Sequence, residues 1–294
     1  MPVVSVGVPV FNGERYLEDA VRSILAQTGV DLELIISDNA STDRTPELCR
    51  LYAASDRRIR YVRNDSNQGA AANYNRLVRL AEGEYFKWAA HDDILEPTFL
   101  RDCLTALQRD RQAVLSFPHA VVIDENGHEV GPEIMDEVVV RAGSAHERLR
   151  EYFASSWDNP RCTAILGVVR TEVLRRTRLI GRYVSADRVL LAELAMQGRF
   201  VRVPGVLLKR RKHEGSSMRA QVSVDARMRW FDTSYRGTLR SPHLLWLWKY
   251  LTAIPAARFS PMESVRCLLA MRDYMKRVRP RVMRELRGRT GVRT

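Results

Sequence analysis

The segment Glu84-Tyr-Phe-Lys-Trp-Ala-Ala-His-Asp-Asp93 decides the fold. Residues 84–90 are aromatic and apolar, follow the turn pair Glu82-Gly83, and predict a short buried strand. The strand runs into His91, Asp92 and Asp93, then Ile94-Leu95-Glu96-Pro97, where proline suits the first position of a helix. Carboxylates at the C-terminal end of a strand in an alternating α/β chain lie where open sheets take ligands. Adjacent carboxylates repel each other, so the pair calls for a cation or a solvated surface. Magnesium prefers one or two protein carboxylates plus phosphate oxygens, so a hard divalent metal carrying a phosphate-bearing molecule fits. Taken alone, His-Asp-Asp is more often a solvated acidic loop; the flanking sequence tips the balance.

Upstream, Val3 to Val8 is a short apolar run that predicts a buried strand, broken by Pro9-Val-Phe-Asn-Gly13. Asn12 is positioned to cap the next helix, whose Leu17, Val21, Ile24 and Leu25 share one face. A second strand, Leu32 to Ser37, ends at Asp38, and Thr45-Pro46-Glu47 starts a second helix. Residues 58–62 give a third strand, followed by Asn64 to Gly69 and a helix over 70–81. Alternating β and α elements imply a Rossmann-like, mostly parallel sheet with helices on both faces. A dinucleotide-binding fold is the obvious rival, but no GxGxxG follows the first strand, which disfavours nicotinamide cofactors.

The 294 residues are 45% hydrophobic, enough for a full core, and no stretch of about 18 apolar residues predicts a membrane span. Cys49, Cys103, Cys162 and Cys267 show no CxxC spacing, and Met1-Pro-Val-Val-Ser has no basic leader character. These features predict reduced thiols in a cytoplasmic protein. The net charge of +12 is concentrated in residues 221–294, where 16 Lys/Arg face 5 Asp/Glu, a balance of +11. The preceding 220 residues carry 31 against 30, or +1.

Several motifs in order resemble the family 2 glycosyltransferases with the GT-A fold, over about residues 1–217. Val4-Ser-Val-Gly-Val-Pro-Val-Phe-Asn12 is similar to the family's opening strand and nucleotide-contacting loop. Ile35-Ile-Ser-Asp-Asn-Ala-Ser-Thr-Asp43 resembles its second loop, and Asn67-Gln-Gly69 with Asn75 its Asn-x-Gly helix start. The resemblance implies nucleotide-sugar contacts from Pro9, Phe11, Asn12, Glu14, Asp38, Asn67, Gly69, Asn75 and Asp92. It gives Asp92 a Mg²⁺ or Mn²⁺ ion, with Asp93 as a helper. The family's Asp-x-Asp-Asp has Ala90 at its first acid here, which leaves the coordination resting on the later ones.

Beyond the acidic turn, residues 97–109 predict an amphipathic helix, 113–117 and 120–123 two strands, and Asp124-Glu-Asn-Gly127 a turn. A helix over 144–153, a loop at Trp157 to Pro160 and a strand over 162–169 follow. Trp157 is a candidate platform for acceptor stacking and equally a packing residue. Asp187, in the first turn of a helix ending at Gly198, matches the family's catalytic base, with Ala186 where the family has glutamate. An acid there also complements the helix dipole. Residues 200–203 and 206–209 predict two strands joined by Pro204-Gly205. The following Arg210-Arg-Lys-His-Glu-Gly-Ser-Ser217 is similar to the family's basic-His-x-Gly-Ser segment. By that likeness His213 completes the metal shell, and Arg210 and Lys212 meet the diphosphate; a basic surface loop is the plain alternative.

Two domains are expected. Residues 1–217 form the transferase, divided into a nucleotide-sugar half (1–110) and an acceptor half (111–217). Residues 218–294 form a helical basic extension. Its aromatic run, His243 to Leu251, packs on the catalytic domain, forms a homodimer, or lies with the arginines on an anionic membrane surface. The expected acceptor is a glycan or lipid-linked sugar. A synthase glycosylating a polyprenyl phosphate shares the donor site. A nucleic-acid-binding protein is the non-catalytic reading of the basic tail, opposed by the near-neutral folded region and the lack of a nucleic-acid motif.

Overall fold

The structure, a computed structural model, describes residues 2–131, 138–155, 163–215, 223–239 and 241–287. An eight-stranded mixed sheet runs in the order β3-β2-β1-β4-β7-β6-β8-β5. Its strands are β1 (Val4–Val10), β2 (Leu32–Asp38), β3 (Ile59–Arg63), β4 (Tyr85–Trp88), β5 (Ile94–Leu95), β6 (Ala113–Ile123), β7 (Val168–Arg170) and β8 (Arg199–Arg211). Strands β1 to β4 are parallel, as the alternating pattern requires. The short β7 runs antiparallel between β4 and β6, and β5 runs antiparallel to β8.

Helices α1 (Leu17–Leu25), α2 (Thr45–Ser55) and α4 (Phe99–Arg109) contribute Leu17, Cys49, Phe99 and Leu104 to one apolar layer. Helices α3 (Ala70–Leu80), α5 (Ala145–Ser155) and α7 (Ala186–Gln197) contribute Leu77, Tyr152 and Leu190 to the other. The period-2 alternation of β2 serves both, with Leu34 and Ile36 in the first layer and Ile35 in the second. After the short α6 (Thr171–Arg175) and α7 come α8 (Val224–Phe231), α9 (Pro242–Ala256) and α10 (Pro261–Arg287). Met228, Tyr250, Met271 and Tyr274 of these last helices join the second layer. The extension therefore shares the core of the preceding domain. Ser241 caps α9 by accepting from Leu244 N–H at 3.1 Å, an interaction that stabilises a helix start by about 1 kcal/mol.

Several sequence expectations are corrected. Pro9 does not end the first strand, which continues to Val10. Pairing with β4 stops at Gly7, so the N–H that proline lacks falls beyond the neighbouring strand's end. Asn12 does not cap α1: the cap position is Tyr16, and Asn12 sits at φ 54° in the connecting loop. Helix α4 starts at Phe99 rather than Pro97, because Ile94–Leu95 pairs with β8 first. Residues 113–123 form one strand, not two. Residues 199–211 also form one strand, bulged where Val203-Pro204-Gly205 face Pro118 and Gly205 adopts φ 93°. The strand expected over 162–169 is a 3₁₀ turn, Thr163–Leu166, followed by β7. Gly167 permits that close passage: a Cβ there would stand 2.2 Å from Ser116 O. Trp157 and Cys162 lie outside the described residues.

Candidate active site

The loops after β1 and β2 are tied together. Asn12 N–H donates to Ser41 Oγ at 2.9 Å, and Asn12 Oδ1 accepts from Thr42 N–H at 2.8 Å. Gly13 N–H donates to Thr45 Oγ1 at 2.8 Å, and Glu14 Oε2 accepts from Arg44 N–H at 2.8 Å. Asn12 supplies the short polar side chain that tolerates a positive φ. Pro9 is buried in β1, whereas Phe11 is 44% exposed at the loop's crest.

Asp38 is fully buried. Its oxygens accept from Ser41 N–H at 2.8 Å, Tyr61 Oη at 2.9 Å and Arg63 Nη1 at 2.5 Å. These bonds brace the loop after β2 from behind. Asn67 Oδ1 accepts from Asn39 Nδ2 and Gly69 N–H, each at 2.9 Å, and Gly69 holds φ 82°. A Cβ on Gly69 would stand 2.6 Å from Phe231 O, so α8 lies directly on this turn. Both ends of the Asn75 amide engage the Ile180 backbone, at 2.9 and 3.0 Å. Asn75 thus fastens α3 to the segment ahead of α7.

The acidic turn after β4 faces these loops. A Cβ on Gly13 would lie 2.7 Å from His91 Cδ2, so the residue must stay small for the turn to close on the first loop. Asp92 Oδ2 lies 2.9 Å from His213 Nε2, and the His213 ring packs against Tyr16 at a centroid distance of 4.6 Å. Burial pushes the Asp92 carboxyl up, but the His213 hydrogen bond and the fields of His91 and His213 outweigh it and hold it below the usual carboxylate range. Asp93 is only 7% exposed, and its Oδ1 accepts from Arg211 N–H at 3.0 Å. Burial and the neighbouring Asp92 charge push its pKa up to about 7. Asp93 therefore ties the turn to β8.

Arg211 is the residue that sequence reasoning missed, having chosen its neighbours. It is buried, and its guanidinium donates to Asp92 O at 3.0 Å, Glu125 O at 3.0 Å and Asp19 Oδ2 at 2.8 Å. One side chain thus joins the acidic turn, the turn after β6 and α1. Arg210 carries a buried Nε with no acceptor among the described residues, and its charge acts on Asp93 and Tyr74. Lys212 is exposed beside it.

Among the described residues, no three His, Cys, Asp or Glu side chains gather as a metal cage. The Asp92–His213 pair suits an ion that takes its other ligands from phosphate and water, and the unsatisfied Arg210 Nε suits an anion beside it.

Asp187 opens α7, half-buried, with its Oδ1 accepting from Arg188 N–H at 3.0 Å. The residue before α7, Ser185, holds φ 59°, an uncommon conformation for a side chain other than glycine. Val184 just ahead of it is gripped twice by the extension. Its N–H donates to Met228 Sδ at 3.3 Å, and its C=O accepts from Trp246 Nε1 at 2.8 Å. Arg178 adds a third tie, donating to Thr252 Oγ1 at 2.9 Å and Lys249 O at 2.7 Å. Tyr74 of α3 marks the convergence of the two regions. Burial, then the charges of Asp92, Asp93 and Asp187, push its hydroxyl pKa up. No sequence motif flagged Tyr74; its position on α3, one residue after the buried Asn73, was the available signal.

With the geometry in place, the glycosyl transferase family 2 profile matches residues 5–177, more than half of the chain. The chain belongs to this family. Membership in a family of glycosyltransferases counts against the non-catalytic reading of the tail. The chain is 31% identical over 130 residues to an uncharacterized glycosyltransferase of Rickettsia typhi, covering 44% of this chain and 40% of that protein. It is 30% identical over 163 residues to the chondroitin synthase of Escherichia coli, covering 54% and 24%. The chain thus spans less than half the length of these two relatives. Staphylococcus aureus TarS 1–349, solved with UDP-GlcNAc, shares the fold with a TM-score of 0.64 at 16% identity, covering 93% of this chain and 72% of that one. A Pyrobaculum calidifontis mannosyltransferase solved with GDP-Man and Mn²⁺ has a TM-score of 0.56 at 19% identity, covering 97% and 84%. These neighbours carry the GT-A fold, which is the architecture found here. No helix among the described residues is long and apolar enough to cross a membrane.

Proposed function

We propose that this glycosyltransferase moves a sugar from a nucleotide-diphospho-sugar, in the first instance a UDP-sugar, to a hydroxyl of a glycan or lipid-linked acceptor, with inversion at the anomeric carbon. The work belongs to cell-envelope or polysaccharide assembly on the cytoplasmic side. The observation that carries the reading is the Asp92–His213 pair at the turn after β4. Neighbours of the same fold bind UDP-GlcNAc, or GDP-Man with Mn²⁺, which supports the donor class.

Asp92 and His213 would hold a divalent Mg²⁺ or Mn²⁺ ion, which when bound stabilises negative charge on the diphosphate. The knitted loops at Phe11 and Asn12 and the turn at Asn67 would receive the nucleotide. Arg210 and Lys212 supply positive charge where the diphosphate departs. Asp187 accepts the proton of the acceptor hydroxyl as that oxygen attacks the anomeric carbon from the face opposite the diphosphate. One C–O bond forms as the C–O bond to phosphate breaks, and the nucleoside diphosphate leaves with the bonding pair. A single displacement inverts the configuration.

The test is transfer from labelled UDP-, GDP- and dTDP-sugars to hydroxyl and lipid-phosphate acceptors, with the product anomer read by NMR, for wild type and Asp187→Asn. An inverted product on a hydroxyl acceptor, with the rate collapsing in the variant, supports the proposal. Transfer to a lipid phosphate that Asp187→Asn leaves intact would favour the polyprenyl-phosphate synthase reading, because a phosphate acceptor needs no base.

A further inference from the structure

Helix α10 has two working faces. Cys267, Met271, Tyr274 and Val278 are buried against the protein. On the opposite side Met262, Val265 and Leu269 are 65%, 54% and 63% exposed, at a spacing that keeps them on one stripe. The stripe continues as exposed Arg272, Lys276 and Arg279. The helix is 27 residues long, and the stripe from Met262 to Arg279 runs about 26 Å along it. On α9, which packs beside it through the Tyr250–Tyr274 ring contact at 5.2 Å, Trp248 is 62% exposed.

The charge on this face identifies the occupant. Helix α10 carries eight Lys/Arg and three acids. Two of those acids are already engaged, Glu263 by His146 at 3.0 Å and Glu285 by His243 at 2.6 Å. The third, Asp273, is exposed and lies 3.9 Å from Lys276 Nζ, so the helix keeps a net excess of five bases. A second copy of the same face would bring like charges together. An anionic lipid surface offers apolar depth to Met262, Val265 and Leu269 and negative charge to the bases. A helix of this kind lies in the interface plane.

We infer that the outward face of α10 docks the enzyme on an anionic bilayer surface. The inference deepens the proposed function by giving a lipid-linked acceptor its place, and it rests on that reading only for the acceptor. The surface itself requires no donor.

The experiment is co-sedimentation of the full chain with vesicles of phosphatidylcholine alone and of phosphatidylcholine mixed with phosphatidylglycerol, at rising salt. Binding to the anionic vesicles only, weakening with salt, is expected. Each base near such a surface contributes about fivefold, so Lys276→Glu, which changes two charges, should weaken binding on the order of 25-fold. Leu269→Ser should weaken it about tenfold or more through lost apolar burial. Both side chains are exposed, so unchanged melting temperatures serve as the folding control. No binding to anionic vesicles, equal binding to neutral ones, or indifference to both variants would overturn the inference. So would lipid-free self-association abolished by Leu269→Ser, which would assign the face to a second copy. Vesicle failure with intact nucleotide-sugar binding sinks this inference alone, whereas loss of nucleotide-sugar binding in folded wild type sinks the proposed function.

Discussion

The two halves of the candidate site are built by different means. The donor side is held by neighbours: loops after β1 and β2 bond to each other, and the acidic turn is pinned by β8 through Arg211 and His213. The Asp187 side is held from a distance. Val184 takes its N–H partner from 44 residues downstream and its C=O partner from 62 residues downstream, both in the extension. The Asp92 side is thus a property of the fold, while the Asp187 side, the proposed base, depends on helices that look like an appendage in sequence.

Breaking the donor side has the largest expected effect. Asp92→Asn removes the charged member of the pair and should lower turnover by about 10³-fold, with Mn²⁺ no longer stimulating activity. Asp187→Asn should cost about 10²-fold in rate while nucleotide-sugar affinity, measured by calorimetry, is retained. Trp246→Phe removes the N–H that satisfies Val184 O. An unsatisfied buried carbonyl costs about 1–3 kcal/mol, so kcat should fall about tenfold with donor KM unchanged. An equal loss of donor affinity in Trp246→Phe would contradict the division between the two regions.

The smallest effect is on stability as a function of pH. Asp93 has its folded pKa raised to about 7 from an ordinary 3.8, so the fold holds a proton that the unfolded chain has released. Stability from this group is present below its unfolded pKa and is lost as pH rises towards 7. Lys87, buried with its Nζ bonded to Leu166 O and Trp88 O, has its pKa lowered by burial to about 8 from 10.5. Its contribution is present above its unfolded pKa and is lost as pH falls from there to about 8. Melting curves of Asp93→Asn and Lys87→Met should flatten the first and second windows respectively. Identical pH profiles for wild type and both variants would show that these burial shifts do not operate.

The comparison also explains what was legible in sequence. The first four strands and three helices were readable because apolar period and turn chemistry act locally. The acidic turn was readable because two adjacent carboxylates at a strand end have few explanations. Pro9 and Pro204 misled because a proline ends a strand only where its missing N–H has a neighbour to lose; β1 has none there, and β8 bulges. The bonds that tie Asp38 to Arg63 and Asn75 to the Ile180 backbone were not legible, because a polar residue gives no sign in sequence of its partners 25 or 105 residues away. Arg211 was indistinguishable from Arg210 and Lys212, since only the pairing of β8 with β5 and β6 decides which of the three turns inward. The grip on Val184 was invisible, because a contact across 62 residues between a backbone carbonyl and a tryptophan leaves no pattern in the chain.

The most direct test of the account is calorimetric titration of UDP, with GDP and dTDP in parallel, into wild type and Asp92→Asn, with and without Mn²⁺. The account predicts binding of one nucleotide that requires the metal and disappears in the variant while the fold persists. Nucleotide binding indifferent to both metal and Asp92, or none at all by folded wild-type protein, would contradict it.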